Sequence, residues 1–424
     1  ATTEIYTLSL HDALPIYRYL NSTIVEPKSN NRTPWLWVPT LYFVEGIPYF
    51  IVNTISLIMF KDMGMDNGTL ALLTSLISIP WVIKPLWSPF VDIFRSKRWW
   101  IVTMQFAMLA AIGMVALSAR MTTFTLTLIL FIIAAFASAT HDIAADGFYM
   151  IALDSKRQSA FVGIRSTFYR IASVFGQGVL VVMAGVLERR MDSIPAAWSV
   201  TMLVSSAILL LLALYHAFIL PRPADDRNAG EVRTAADVAR EFGGAFASFF
   251  TKKGVWLAIA FMLLYRLPEG FLIKMCQPFL VAKDGLALDT DMVGIVYGTF
   301  GVLALTVGGI LGGVFASRVG LKKSLWWMAL CMTLPCLTFV YLAMAVPTNP
   351  VVITIALAIE QFGYGFGFTA YMLYLIYFSE GTHKTAHYAI CTGFMALGMM
   401  LPGMMAGWLQ ETIGYPHFFL WTIA

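Results

Sequence analysis

Residues 88–100 read SPFVDIFRSKRWW and residues 313–327 read GVFASRVGLKKSLWW. Each is a short basic turn that closes on a pair of tryptophans, and each joins two apolar segments long enough to cross a bilayer. The same spacing, 222 to 227 residues, relates Leu41-Tyr42 and Glu45-Gly46 to Leu264-Tyr265 and Glu269-Gly270. It also relates Tyr149-Met150 to Tyr371-Met372, and Ala184-Gly185-x-Leu187 to Ala406-Gly407-x-Leu409. A spacing held this constant is an internal duplication.

Composition excludes a water-soluble globule. Of 424 residues 59% are apolar and 12% charged, with a mean hydropathy of +0.75, whereas soluble domains are about a quarter charged. At about 20 residues per crossing, apolar segments 1 to 6 lie near 36–60, 69–92, 99–119, 123–152, 160–187 and 196–220. Segments 7 to 11 lie near 255–281, 291–317, 324–346, 350–379 and 386–410, and segment 12 starts near 416 and is cut at Ala424. The expected fold is an all-α membrane protein of twelve transmembrane helices, built as two pseudo-symmetric six-helix bundles, the twelfth helix truncated. Residues 35–220 and 254–424 form the bundles, 221–253 a linker and 1–34 a tail. Thr3 to Ile16 (TEIYTLSLHDALPI) resemble translated adapter sequence, with a cytosolic tail as the alternative, and are left out of the fold. Loops on one side carry fifteen Lys and Arg and those on the other five, which places the fifteen, the linker and both termini in the cytoplasm. Within the linker, residues 231–250 fit a surface-lying amphipathic helix. A net charge of +4, scattered, gives no reason to expect nucleic acid. Cys276, Cys331, Cys336 and Cys391 lie in apolar stretches without metal-ligand spacing, so no metal or cofactor is expected.

Ten ionisable residues fall inside the segments: Glu45, Lys84, Asp142, Asp146, Arg165, Arg170, Arg266, Glu269, Lys274 and Glu360. Such groups are costly in hydrocarbon and line pathways or pair with one another. Their confinement to segments 1, 2, 4, 5, 7 and 10 predicts a wet crevice enclosed by 1, 4, 7 and 10 and flanked by 2 and 5. Helical rise sets Asp142 level with Arg170 and Asp146 level with Arg165. Asp142 and Asp146 share one face; they are either proton carriers or half of a permanent four-residue lock. Arg266 lies one turn from Glu269. His141, beside Asp142, is a proton relay or a hydrogen-bonded neighbour. Tyr364, Phe366, Phe368, Tyr371, Tyr374 and Tyr377 could stack sugars, but are expected to be lipid-facing filler.

Six plus six helices related by a parallel repeat is the plan of the major facilitator superfamily, whose substrate site lies at the midplane between the halves. The two basic turns resemble its G-x-x-x-D-R-x-G-R-K gating motif, carried here by Ser88, Asp92, Arg95 and Arg98, and by Gly313, Arg318, Gly320 and Lys322. Ser88 replaces the first Gly, Arg95 the second, and Ser317 the Asp. Glu45-Gly46-x-Pro48, Lys84-x-Leu86-Trp87-Ser88-Pro89-x-x-Asp92, His141-Asp142-Ile143-x-x-Asp146 and Tyr169-Arg170 are similar to AmpG-type muropeptide permeases and the related acetyl-coenzyme A transporters. Leu264-Tyr265-Arg266 with Glu269, Glu360, and Pro402-Gly403-x-x-Ala406-Gly407-Trp408 extend the likeness. The resemblance implies a monomeric, proton-driven symporter of the bacterial cytoplasmic membrane that imports anhydromuropeptides by alternating access. Protons would ride on Asp142, Asp146, Glu45, Glu269 and Glu360. The anionic solute would meet Arg170, Arg266, Lys84, Arg165, Lys274, His141 and Tyr169. His141 stands for the usual Gln, Glu45 for a small residue, and Arg165 and Lys274 are extra charges. An exchanger of coenzyme A or nucleotide-like anions is the alternative within transport. An intramembrane acyltransferase using His141 is the alternative outside it, unsupported by any H-E-x-x-H or G-x-S-x-G motif.

Overall fold

The computed structural model describes residues 33–120, 124–153, 155–223, 226, 235–380 and 384–423. The tail before residue 33 and linker residues 227–234 lie outside the described residues. Among the described residues eleven helices are long and apolar enough to cross a membrane. They are α1 (Pro34–Asp62), α2 (Asn67–Ser88), α3 (Lys97–Arg120), α4 (Phe124–Ala152), α5 (Ile164–Met191) and α6 (Ile194–Ile219), then α7 (Val255–Val281), α8 (Thr290–Ala316), α9 (Leu321–Ala345), α10 (Pro350–Ser379) and α11 (His387–Trp421). The last turns sharply at Gly414, φ 73 and ψ 162, so that residues 415–421 depart as the start of a twelfth segment.

Short polar caps start the helices. The Asp66 carboxylate accepts from the Thr69 N–H at 2.7 Å, and that bond holds its acid below the usual carboxylate range. Ser193 and Asn349 cap α6 and α10 in the same way. The two basic turns bend through one left-handed residue each, Gly320 at φ 84 and Arg95 at φ 66. Arg95 therefore occupies a conformation that disfavours a side chain, at the place where the second copy keeps glycine. The linker helix, Ala235–Phe250, departs from the surface-lying expectation. Phe249 is fully buried, packed between Phe378 and Phe394 with His387 at its edge. Burying Phe249 against the ends of α10 and α11 removes its ring from water, which favours this docking.

We call the end where α1 begins the near face and the opposite end the far face. The halves are drawn together at the far face by two clasps. In one, Asn67 at the start of α2 donates to Gln410 of α11 at 2.5 Å and to Tyr415 at 2.9 Å, while the Gly68 N–H donates to Glu411 at 2.7 Å. In the other, Arg189 at the end of α5 grips Asp291 of α8 with bonds of 2.5 and 2.8 Å, and Thr290 bonds Glu188 at 2.9 Å. The repeated Ala-Gly-x-Leu motif explains the closeness. A Cβ on Gly407 would lie 1.7 Å from the Asn67 carbonyl oxygen, and one on Gly185 would lie 2.2 Å from the Asp291 nitrogen. Only glycine lets the backbones meet there.

Candidate functional site

Four helices of the first half converge on one charged cluster. Lys84 of α2 pairs with Asp142 of α4. Arg165 of α5 pairs with Asp146 of α4 at 2.8 Å. The Tyr42 hydroxyl on α1 donates to Asp146 at 3.2 Å, and the Arg165 guanidinium sits over the Tyr42 ring, 4.5 Å from its centre. Glu45, one turn along α1 from Tyr42, completes the group. Carboxylate oxygens of Glu45, Asp142 and Asp146 all lie within 4.8 Å of one another. Both aspartates have a cation in contact. Glu45 is buried, and its Oε2 has no hydrogen-bond partner. Three acids thus face two bases. Carboxylates this close repel unless a proton or another cation intervenes.

The charges are not sealed. The Lys84, Asp142, Arg165 and Asp146 side chains keep 27%, 19%, 32% and 36% of their surface open, against 7% and 5% for Arg266 and Glu269. Counted back from Ala152, Asp146 lies about 9 Å from the near end of α4 and Asp142 about 15 Å.

The second half repeats the plan with different chemistry. Tyr265 and Tyr371 stack 5.4 Å apart where Tyr42 and Tyr149 meet at 5.9 Å in the first half. Arg266 of α7 makes two bonds to Glu269, 2.8 and 2.7 Å, and takes a third partner in the Tyr364 hydroxyl at 2.9 Å. Rings of Tyr364, Phe368 and Tyr371 cover it at 5.7, 4.6 and 5.8 Å. Tyr364 and Phe368 stand 222 residues after Asp142 and Asp146: where the first half has acids, the second has aromatic rings around an arginine. Tyr49 joins the two groups, close enough to interact with Asp142, Arg266 and Glu269. Tyr388 of α11, in the other half, lies within electrostatic range of Asp146.

Several expectations change. Asp142 meets Lys84, not Arg170. Among the described residues Arg170 has no ion pair, and it lies by Gly309 of α8 with Tyr169 and Tyr364 nearby. Tyr169 packs against Tyr49 and Phe50. His141 is turned into the bundle, where Gln105 bridges it to His216 with bonds of 3.0 Å each. Tyr364 and Tyr371 point inward rather than to lipid, whereas Tyr377 is exposed. Glu360 is buried and accepts from Gln361 at 2.8 Å. Lys274 crosses from α7 to Thr74 of α2 at 3.4 Å, with no carboxylate beside it among the described residues. Sequence reasoning missed Tyr49 and Tyr388, took Tyr364 and Phe368 for filler, and gave Tyr42 no role, although its repeated pairing with Tyr265 was an available signal.

Near the first basic turn, Arg98 donates to the carbonyls of Ala217 and Leu220 at the end of α6. Asp226 accepts from the Lys97 and Arg98 N–H groups at 2.5 and 3.1 Å, and burial pushes its carboxyl up despite them. Ser88 bonds the Pro85 carbonyl at 3.3 Å. The Asp92 side chain lies outside the described residues. In the second copy Gly313 is half-buried and Arg318, Gly320 and Lys322 are exposed.

The sequence profile of the Major Facilitator Superfamily matches residues 40–407. The Anhydromuropeptide permease of Escherichia coli (strain K12) is 24% identical over 391 residues, covering 91% of this chain and 76% of that protein. Among solved structures, a bacterial homologue of the human lysosomal transporter Spinster, inward-facing and unoccupied, superposes with a TM-score of 0.64 at 15% identity, covering 92% and 91% of the two chains. A D-xylose-proton symporter superposes at 0.67 and 11% identity, covering 92% and 95%. The chain belongs to the Major Facilitator Superfamily, and it is a multi-pass membrane transporter rather than an enzyme.

Proposed function

We propose that this superfamily member is a proton-coupled symporter for an anionic or zwitterionic, peptidoglycan-derived solute of the anhydromuropeptide class. One observation carries the coupling: three carboxyls of the first half share a site with two cations, and the one left over, Glu45, has no ion pair among the described residues and keeps its Oε2 without a hydrogen-bond partner. A single proton on that trio makes the site neutral. When it leaves, the surplus negative charge must be met by moving Lys84 or Arg165, or by repulsion between α1 and α4, which carry the acids. Arg170 and Lys274, without acid partners among the described residues, are the cations free to meet a solute's carboxylates, and Tyr49, Tyr169 and Tyr364 offer ring faces for sugar. The printed name of the Escherichia coli relative supports the solute class.

With both termini cytoplasmic, as the distribution of Lys and Arg implies, the clasped far face is external. The partly open charge cluster then faces the cytoplasm, an inward-facing state. The chain would reside as a monomer in a bacterial cytoplasmic membrane, the two six-helix bundles rocking about the midplane. The unpaired cations also favour a second reading, exchange of coenzyme A or nucleotide-like anions. Uptake of radiolabelled anhydromuropeptide into proteoliposomes under an imposed pH gradient separates the two. Accumulation abolished by an uncoupler and by Asp142→Asn supports symport. Exchange that persists without a gradient, or uptake driven by sodium alone, overturns it.

A further inference from the structure

The two far-face clasps are twins in the repeat, yet one of them carries two extra acids. Thr290 and Asn67 correspond at a spacing of 223, and Glu188 and Gln410 at 222. The α2–α11 clasp joins amides, Asn67 to Gln410. The α5–α8 clasp replaces Gln410 with Glu188 and adds Asp62, the last residue of α1. Asp62 Oδ2 accepts from the Trp198 indole of α6 at 3.2 Å and lies 3.2 Å from the Thr290 hydroxyl. The same hydroxyl lies 2.9 Å from Glu188.

A hydroxyl has one proton to donate. Thr290 can therefore satisfy Asp62 or Glu188, and must accept from the other, which then has to be an acid. Glu188 Oε1 is buried without a hydrogen-bond partner, and two bare carboxylates gathered on one hydroxyl repel each other. The neighbouring charges are committed elsewhere. Lys61 donates to Asn67 at 2.5 Å, and Arg189 is held by Asp291 at 2.5 and 2.8 Å with Asp289 at 3.9 Å. No other charged group of α1, α5 or α8 is in contact with the pair among the described residues, and α6 contributes only the Trp198 indole.

We propose that Asp62, Glu188 and Thr290 form a second proton site, one that takes up its proton as the far face closes and releases it as that face opens. The site spans both halves, so rocking them apart removes Thr290, and Asp62 and Glu188 then ionise into the aqueous mouth. It rests on the alternating-access reading above but is independent of the solute. The α2–α11 twin, with amides at these places, supplies no such proton.

The test is a distance measurement between spin labels at Met191 and Lys283, both exposed, in nanodiscs without solute. A Glu45→Gln, Cys331→Ser background silences the central trio and the exposed thiol. From about pH 5 to about pH 9 the open-to-closed ratio should rise by up to about tenfold per pH unit, the dependence of one proton. Glu188→Gln, whose amide donates to Asp62 permanently, should abolish the slope; Asp62→Asn serves if that variant does not fold. Glu411→Gln in the twin should change the ratio and keep the slope. A ratio that is flat with pH, or a slope surviving Glu188→Gln, overturns the second site alone. A single distance under every condition overturns alternating access with it.

Discussion

Glu45→Gln isolates the coupling proton. The change keeps the shape of the side chain and leaves Lys84 with Asp142 and Arg165 with Asp146, two matched pairs with no surplus charge. No ion pair is broken, so thermal stability should hold or rise. Transport should change in kind. One proton per cycle converts each pH unit of gradient, 1.36 kcal/mol, into about tenfold accumulation. With the membrane potential clamped and a gradient of about two units, wild-type proteoliposomes should reach about 100-fold accumulation of labelled solute by that relation. The variant should equilibrate at about onefold while still catalysing counterflow, because the solute cations are untouched. Concentrative uptake by Glu45→Gln near the wild-type level would refute the assignment, as would loss of counterflow together with accumulation.

Other consequences follow from the same contacts. Arg266→Leu leaves Glu269 buried beside nothing that can neutralise it and should cost about 3–5 kcal/mol; Arg266→Leu with Glu269→Leu should recover most of that loss in thermal denaturation, and equal instability of single and double variants would show the pair is not the cause. Gly407→Val places a side chain against the Asn67 carbonyl and should hold the far face open, read as increased labelling of a cysteine placed near Asn67; unchanged labelling contradicts the clasp. Arg170→Ala should weaken solute binding about 10- to 100-fold, the worth of one charge-assisted hydrogen bond, while leaving one proton per cycle; unaltered affinity would remove Arg170 from the solute site.

The spans, the duplication and the gathering of charges on α1, α2, α4, α5, α7 and α10 were legible because the bilayer dictates segment length and punishes stray charge. The Asp146–Arg165 pair was legible too, since helical rise alone sets their level. Asp142 went to Lys84 for a reason the rise cannot express. Arg165 and Arg170 are five residues apart, about 140° around the helix, so both cannot face α4, and Arg170 is turned toward α8 instead. His141, one residue from Asp142, is rotated about 100° off that face and falls among Gln105 and His216. The aromatic run of α10 read as filler because apolar residues look alike in sequence; only the fold reveals that Arg266 lies under Tyr364, Phe368 and Tyr371. The α5–α8 clasp was invisible, as Asp62 and Glu188 sit at segment ends where charge is ordinary.

The most direct measurement is the infrared spectrum of the purified transporter at neutral pH, wild type against Glu45→Gln. A buried protonated carboxyl absorbs apart from its ionised form, so a proton resident on Glu45 predicts a carbonyl band in the wild type that the substitution removes. Identical spectra in that region would mean that Glu45 is ionised and is not the carboxyl that holds the coupling proton.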